Sequence, residues 1–302
     1  MISTTVVKTL ESFLPAENIF LNEPMSKHTT FRIGGNADCL LQIESAEQLS
    51  KIKNYLGKLE LPYFVLGNGS NLLVSDEGYR GVILAVSEAM SEVRLEGNTI
   101  IAQAGAPMSK IARLALENGL TGFEFASGIP GTIGGGVVMN AGAYDGELKQ
   151  VVTLVKVVDA EGNFLELDNE DMEFGYRTSA IKNSAFTAVE VHICLQPGNT
   201  AAIKARMDEL AAKRREKQPL EYPSAGSTFK RPEGHFAGAL IMNAGLRGFQ
   251  IGGAQVSEKH CGFVINKGGA TAADVEALIA HVQDKVKEQF GVSLEPEVIV
   301  LK

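Results

Sequence analysis

The signatures that most often settle an enzyme class from sequence are missing here. There is no GxGxxG, no GxxxxGK[ST], no HExxH and no GxSxG. Their absence removes the motif-level case for a Rossmann dinucleotide site, a P-loop nucleotidase, a zincin or an α/β-hydrolase. Cysteine is scarce. Cys39, Cys194 and Cys261 are odd in number and form no CxxC pair, so they make a poor disulfide framework and read as reduced thiols. His260 directly precedes Cys261, but adjacent side chains diverge on helix and strand alike, which argues against a Cys/His dyad. Positive charge is short as well. With 28 Lys+Arg against 36 Asp+Glu the formal charge is −8, a poor footprint for nucleic acid or an anionic membrane. The first 14 residues carry Lys8 and Glu11 and lack the basic, apolar, small-residue series of a secretion signal. An uncharged run of 20 residues, 125–144, holds six Gly, one Pro and one Asn, so it reads as loop-rich internal chain, not as a membrane span.

What is abundant is glycine. The 32 Gly residues are about 11% of 302, against a typical ~7%, which points to many positions of positive φ or close backbone approach. The length suggests two domains, and the charge is uneven: residues 204–267 carry 11 Lys/Arg against 6 Asp/Glu. Such a local excess suits small phosphorylated ligands.

Periodicity places the main elements. Apolar residues at Leu49, Ile52, Leu56 and Leu59, with Ser45 and Gln48 spaced as a capping box, predict a helix over 45–59. Strands are expected at 61–66 and 100–103, and a helix over 108–118 closed by Gly119. From Val151 the texture turns to β-type runs at 151–158, 164–167 and 187–195. A helix over 201–217 ends in Lys213, Arg214, Arg215 and Lys217, where cations suit the dipole, and Pro219 and Pro223 stop it. A helix over 272–290 and a closing strand over 295–301 complete the chain. These patterns place an N-terminal region over 1–198, a C-terminal domain over 204–290 and a final strand over 291–302.

Two loops carry the strongest ligand signal: Gly67-Asn68-Gly69-Ser70-Asn71 running into Leu72, and Gly128-Ile129-Pro130-Gly131-Thr132-Ile133-Gly134-Gly135-Gly136. Each can expose consecutive backbone N–H groups as a nest for a pyrophosphate. Each alone also reads as a structural turn, but the pair favours a large phosphorylated cofactor. Arg177 after Gly175-Tyr176, Ser227 within Pro223 to Pro232, and Glu297 after Pro296 are polar residues in odd surroundings. Singly they read as a surface Arg, a turn Ser and a strand-end carboxylate.

The ordered set of Thr29-Thr30-Phe31-Arg32-Ile33-Gly34-Gly35, the loop from Gly67 to Val74, Gly128 to Gly136 with Asn140-Ala141-Gly142-Ala143-Tyr144, Tyr176-Arg177-Thr178-Ser179, Ser224 to Pro232, and Val256-Ser257-Glu258-Lys259-His260 resembles the UDP-N-acetylenolpyruvoylglucosamine reductase family over nearly the whole chain. Arg177 and Ser227 stand only 50 positions apart, as in the shorter branch without a tyrosine-bearing lid insertion. The chain departs from many relatives at Asp145 and Arg231. The resemblance implies an α+β flavoprotein: a vanillyl-alcohol-oxidase-like (PCMH-type) FAD-binding fold, its core about 30–195, plus a smaller α+β substrate-binding domain. It implies noncovalent FAD held by the two glycine loops together with Asn140, Ala141 and Gly142. NADPH is the implied donor, a UDP-linked enolpyruvyl ether the implied substrate, and UDP-N-acetylmuramate for peptidoglycan the implied product. A cytoplasmic bacterial monomer is expected, without metal, nucleic acid or membrane insertion.

The chemistry fits these residues. Hydride addition to C3 of an enolpyruvyl group leaves carbanion character at C2, tolerable only if charge flows onto the adjacent carboxylate. Arg177 offers that carboxylate a permanently charged fork, and the resemblance adds Glu297 as a second stabiliser, expected neutral because two carboxylates repel. By resemblance Ser227 protonates C2. Lys230 and Arg231 are expected to take the diphosphate, with Lys259 and His260 as weaker candidates. Two other readings stay open: an oxidase with covalently attached flavin, which His28 alone in the first 190 residues speaks against, and a catalytically silent sugar-nucleotide sensor.

Overall fold

The amphipathic segment after Ser45 is a helix, Ala46–Lys58, in the computed structural model, which describes residues 2–302. Ser45 Oγ accepts the Gln48 N–H at 3.2 Å, while the Gln48 carboxamide reaches past Ser45 to the Glu44 N–H at 2.9 Å. Leu49, Ile52 and Leu56 are fully buried, and so is Lys53. The Lys53 ammonium donates to Val158 O at 2.8 Å, Ala185 O at 2.6 Å and Thr187 Oγ1 at 3.0 Å, so protein oxygens replace its water. Burial pulls its pKa down to about 8, against the opposing influence of Asp159 and Glu161.

This helix lies in the first of two units, made of the chain up to Leu21, Cys39–Asn68 and Gly81–Arg214. The unit's five-stranded antiparallel sheet runs in the order Phe164–Asp168, Val152–Val158, Thr187–Cys194, Thr99–Gln103, Val93–Glu96. Val155, Val157, Val191, Ile193, Ile100 and Ala102 are buried, whereas Arg94 and Lys156 make ion pairs with Glu190. One face therefore packs and the other is charged, the pattern expected of an antiparallel sheet with one solvated side. A four-stranded sheet has the order Ile19–Pro24, Asn36–Gln42, Tyr79–Ala85, Tyr63–Leu66, the last two parallel from Tyr63↔Val82 to Leu66↔Ala85. The uncharged run 125–144 folds into turns and the short helix Ile133–Val138. Among the described residues no helix is long and apolar enough to cross a membrane, and no cluster of His, Cys, Asp or Glu is placed to hold a metal.

The second unit comprises Asn22–Asp38, Gly69–Arg80 and Arg215–Lys302. Contacts divide the chain between Arg214 and Arg215, close to the Pro219 and Pro223 stop, and draw two N-terminal segments into this unit. Strand pairing is the reason. The closing strand, shorter than expected at Ile299–Leu301, pairs in parallel with Leu72–Val74, from Ile299↔Leu72 to Leu301↔Val74. Helix Ala272–Phe290 buries Val275, Leu278, Ile279, Val282 and Val286 and ends at Gly291 in the left-handed region. Its first turn is doubly capped, by Thr271 and by Asp76, whose carboxylate accepts the Ala272 and Ala273 N–H groups at 2.8 and 2.9 Å. The motif around Thr30 is an anchor. Thr30 N–H donates to Gly69 O at 3.1 Å and its hydroxyl to Ser224 O at 2.6 Å, while Asn266 Nδ2 donates to Phe31 O at 3.1 Å.

Candidate active site

The first glycine loop is open. Among the described residues, the backbone N–H groups of Asn68, Gly69, Ser70 and Asn71 meet no acceptor in the chain, four consecutive donors of the kind that cradle a phosphate. Gly69 sits at φ +58, and a Cβ there would come within 2.1 Å of His28 O, so only glycine fits. At Gly67 a Cβ would come within 2.6 Å of Thr132 Oγ1, which brings the start of this loop against the second. Leu72 is different: its side chain is buried and its backbone pairs with Ile299, so it belongs to the core.

The second loop is a nest only in part. The Gly131 and Thr132 N–H groups are open, but Ile129 donates to Ala126 O, Gly134 to Ala104 O at 2.8 Å and Gly135 to Thr132 Oγ1 at 3.2 Å. Gly134 therefore serves packing, where sequence had suggested a cofactor contact. Gly128 faces a cation, with Arg214 Cδ 2.7 Å and Nε 3.2 Å from where its Cβ would stand. Arg214 is half-buried, and among the described residues its guanidinium has neither a hydrogen-bond acceptor nor a carboxylate within ion-pair distance. Desolvation lowers its pKa and nearby Tyr144 opposes that. An unpaired, partly desolvated guanidinium beside open amides is a place for a negative group. From sequence Arg214 was merely one of four cations ending a helix; only its lack of a partner in space singles it out. Taken each by itself, the four open amides of the first loop, and the Gly131 and Thr132 amides with this cation in the second, fit phosphate groups such as those of a flavin dinucleotide.

Asn140, Ala141 and Gly142 turn inward instead. Asn140 Nδ2 donates to Glu147 Oε2 at 3.0 Å and to Gly175 O at 3.1 Å, and its Oδ1 accepts the Lys149 N–H at 2.9 Å. Ala141 donates to Gly136 O and accepts from Leu148 N–H. Gly142 O accepts from Arg177 Nη2 at 3.3 Å. The Asn140 carboxamide, the Ala141 backbone and the Gly142 carbonyl thus serve the fold, those of Asn140 and Gly142 on the turn that carries Arg177. That turn closes between Gly175 and Thr178, which exchange backbone hydrogen bonds, and Arg177 has φ +56. A non-glycine residue in this region costs about 1–2 kcal/mol.

In the second unit Ser227 and Glu297, 70 positions apart in sequence, belong to adjoining segments. Thr228 N–H donates to Gly262 O at 2.8 Å, Thr228 Oγ1 accepts from Val264 N–H at 2.9 Å, and Thr228 O accepts the Glu297 N–H at 2.8 Å. Phe229 bridges Pro296. The backbone that follows Ser227 is therefore fixed while its side chain is exposed, and among the described residues its hydroxyl has no partner. Asn71, from the first glycine loop, donates through Nδ2 to Glu297 O at 3.0 Å and accepts the Ile299 N–H. Its amide thereby holds the carboxylate-bearing segment beside the loop.

The cationic candidates divide. Lys230 pairs with the Glu295 carboxylate, and Arg231 lies over the Phe236 ring, 4.0 Å from its centre; both remain at the surface. Lys259 and His260 do not fit a phosphate role. Lys259 Nζ donates to Arg215 O at 2.7 Å, closing a helix end, and lies 3.8 Å from Glu221. His260 Nδ1 accepts the Gly262 N–H at 3.1 Å, the ring packs edge-on against Phe263, and burial lowers its pKa, so it is a neutral structural imidazole near pH 7.

Residues 218–301 match the family model of the UDP-N-acetylenolpyruvoylglucosamine reductase C-terminal domain, and residues 37–168 that of an FAD binding domain. The UDP-N-acetylenolpyruvoylglucosamine reductase of Caldanaerobacter subterraneus subsp. tengcongensis is 52% identical over 296 residues, 98% of either chain. That of Clostridium perfringens (strain SM101 / Type A) is 51% identical over 294 residues, 97% of this chain and 96% of its own. The crystal structure of the reductase from Thermus caldophilus matches with a TM-score of 0.81 at 34% identity, over 94% of this chain and 98% of that one. An alkyldihydroxyacetonephosphate synthase, at 15% identity and a TM-score of 0.51 over 65% of this chain and 41% of that one, shares the fold. The architecture is the expected PCMH-type flavin-binding fold with a smaller α+β unit.

Proposed function

The chain belongs to the UDP-N-acetylenolpyruvoylglucosamine reductase family, and from that premise we propose that it reduces the enolpyruvyl ether of UDP-N-acetylglucosamine to UDP-N-acetylmuramate, with NADPH as donor, in peptidoglycan precursor synthesis. It is an FAD-dependent oxidoreductase. The observation that carries the residue-level reading is the Ser227 hydroxyl, exposed and unpartnered on a backbone locked to the Glu297 segment.

When bound, FAD supplies the hydride chemistry that links NADPH to C3 of the enolpyruvyl group. The open amides of Gly131 and Thr132, with Arg214, would hold its diphosphate, and the open amides of residues 68–71 offer a phosphate-binding turn of their own. Arg177 neutralises the substrate carboxylate as charge builds on it, and Glu297 is the second group in that role. Ser227 Oγ–H gives its proton to C2, and the oxygen regains a proton from solvent. A serine hydroxyl is a weak acid, but a carbanion is basic enough to take its proton from a fixed position. Lys230 and Arg231 meet the diphosphate of the substrate. In this reading the protein works as a monomer in the cytoplasm.

The test is anaerobic. NADPH should bleach the yellow protein, and the enolpyruvyl UDP-sugar should restore the colour while gaining two hydrogens by mass. Bleaching without recovery on that substrate would sink the proposal.

A further inference from the structure

Arg177 occupies the third position of a tight turn at φ +56, the place where a glycine or asparagine would sit without strain. Left to itself, an arginine there relaxes toward the right-handed region, and its Cα–Cβ direction swings with it. Something outside the turn must hold it. Three side chains grip its carbonyls in sequence order: Lys149 Nζ donates to Phe174 O at 3.3 Å, Asn140 Nδ2 to Gly175 O at 3.1 Å, and Lys182 Nζ to Arg177 O at 2.7 Å. The contact from Lys182 is the shortest of the three and the one made to the strained residue itself. Lys182 is anchored just beyond the turn: Ser179 Oγ donates to Val138 O at 2.8 Å, Ala180 N–H to Met172 O at 2.8 Å, and Lys182 N–H to Ser179 O at 3.1 Å. The guanidinium meanwhile touches Gly142 O at 3.3 Å and lies over the Tyr176 ring.

We propose that Lys182 is a positioning residue for Arg177, its ammonium holding the Arg177 carbonyl so that the guanidinium stands ready to receive an anionic carboxylate. The proposal rests on the role given to Arg177 above. A charged donor on a backbone carbonyl is a strong hydrogen bond, and it acts on the one peptide group whose rotation would release the turn.

The test uses the flavin-loaded full-length protein and follows each half-reaction by stopped flow, with substrate affinity measured by calorimetry on the oxidised form. Lys182→Met should slow flavin reoxidation by the enolpyruvyl substrate about 10- to 100-fold and weaken substrate binding, while NADPH reduces the flavin within twofold of wild type and the melting temperature falls by only a few degrees. Lys182→Arg, which still places a cationic donor on the carbonyl, should recover most of the lost rate. Arg177→Ala serves as the reference. If Arg177→Ala leaves reoxidation unchanged, the role of Arg177 is wrong and the proposal falls with it. If Arg177→Ala is slow but Lys182→Met behaves as wild type, the role of Arg177 stands and the positioning proposal is overturned. Equal loss of both half-reactions in Lys182→Met, or no recovery in Lys182→Arg, assigns Lys182 to folding and likewise overturns it.

Discussion

The Glu297 N–H donates to the Thr228 carbonyl at 2.8 Å, so the segment bearing one proposed catalytic residue is laid against the peptide that follows the other, Ser227. The same segment is also held by Asn71, whose Nδ2 donates to Glu297 O. Fixing the peptide that follows Ser227 while leaving its hydroxyl unpartnered is how a rigid scaffold presents a proton donor.

Ser227→Ala separates the two half-reactions, because only one requires a proton delivered to carbon. Stopped-flow reduction of the flavin by NADPH should stay near the wild-type rate. Reoxidation by the enolpyruvyl substrate should slow by ~10² to 10⁴, the usual worth of a positioned general acid. Ser227→Cys should keep part of the activity, since a thiol also donates a proton. Equal effects on both half-reactions, or none on either, would show Ser227 to be a turn residue only.

Lys230→Ala and Arg231→Ala should each raise KM for the UDP-sugar about tenfold, the worth of one hydrogen bond to a charged group, with kcat close to wild type. Phosphate contacts remote from C2 change little between ground and transition states. Lys259→Ala provides the contrast: its ammonium sits on Arg215 O, so it should lower the melting temperature and leave KM alone. A kcat defect without a KM change in the Lys230 and Arg231 variants would refute their assignment.

Acid precipitation of the purified protein should release all of its FAD into the supernatant. In the proposed reading the open amides of residues 68–71 would bind the dinucleotide by hydrogen bonds alone, and His28, the lone histidine among the first 190 residues, is occupied with Glu23 at 3.0 Å. Flavin fluorescence remaining on the denatured chain would contradict this.

Lys53 makes stability depend on alkaline pH in a definite direction. Its pKa is about 8 when folded and near 10.5 when the chain is open, so between those values the unfolded chain holds a proton the folded protein has shed. Stability therefore rises with pH across that window, by roughly 3 kcal/mol at most for this one group. Urea titrations of wild type and Lys53→Met isolate it: the difference in unfolding free energy should shift toward wild type from pH 7 to 10.5. A difference that stays flat, or moves the other way, refutes a depressed Lys53.

Much of this was legible in the sequence where local rules act alone. The helix after Ser45 and the helix Ala272–Phe290 follow from apolar spacing and caps, since i, i+3, i+4 periodicity needs only the chain's own geometry. Strands Asn36–Gln42 and Tyr79–Ala85 escaped such reading. Their buried runs, Cys39-Leu40-Leu41 and Val82-Ile83-Leu84, show no alternation by which to tell strand from core helix. The capping carboxylate of Asp76 lies almost 200 positions from the helix it caps, beyond any local pattern.

By itself, then, the sequence determined which backbone could stay bare, the glycines of the two loops, and through its family resemblance singled out Arg177, Ser227 and Glu297 as the side chains proposed to carry the chemistry. Only the tertiary structure decided which of those groups remain available. Hydrogen-bond capacity is finite, and long-range partners consume it: Gly134 and Asn140, bonded within the fold, no longer offer the donors their motifs advertise, and Lys259 is spent on a helix end. The amides of residues 68–71 and the guanidinium of Arg214 are left over. What a folded chain leaves unsatisfied at its surface is what a ligand can satisfy, and that remainder is known only once every other partner has been placed.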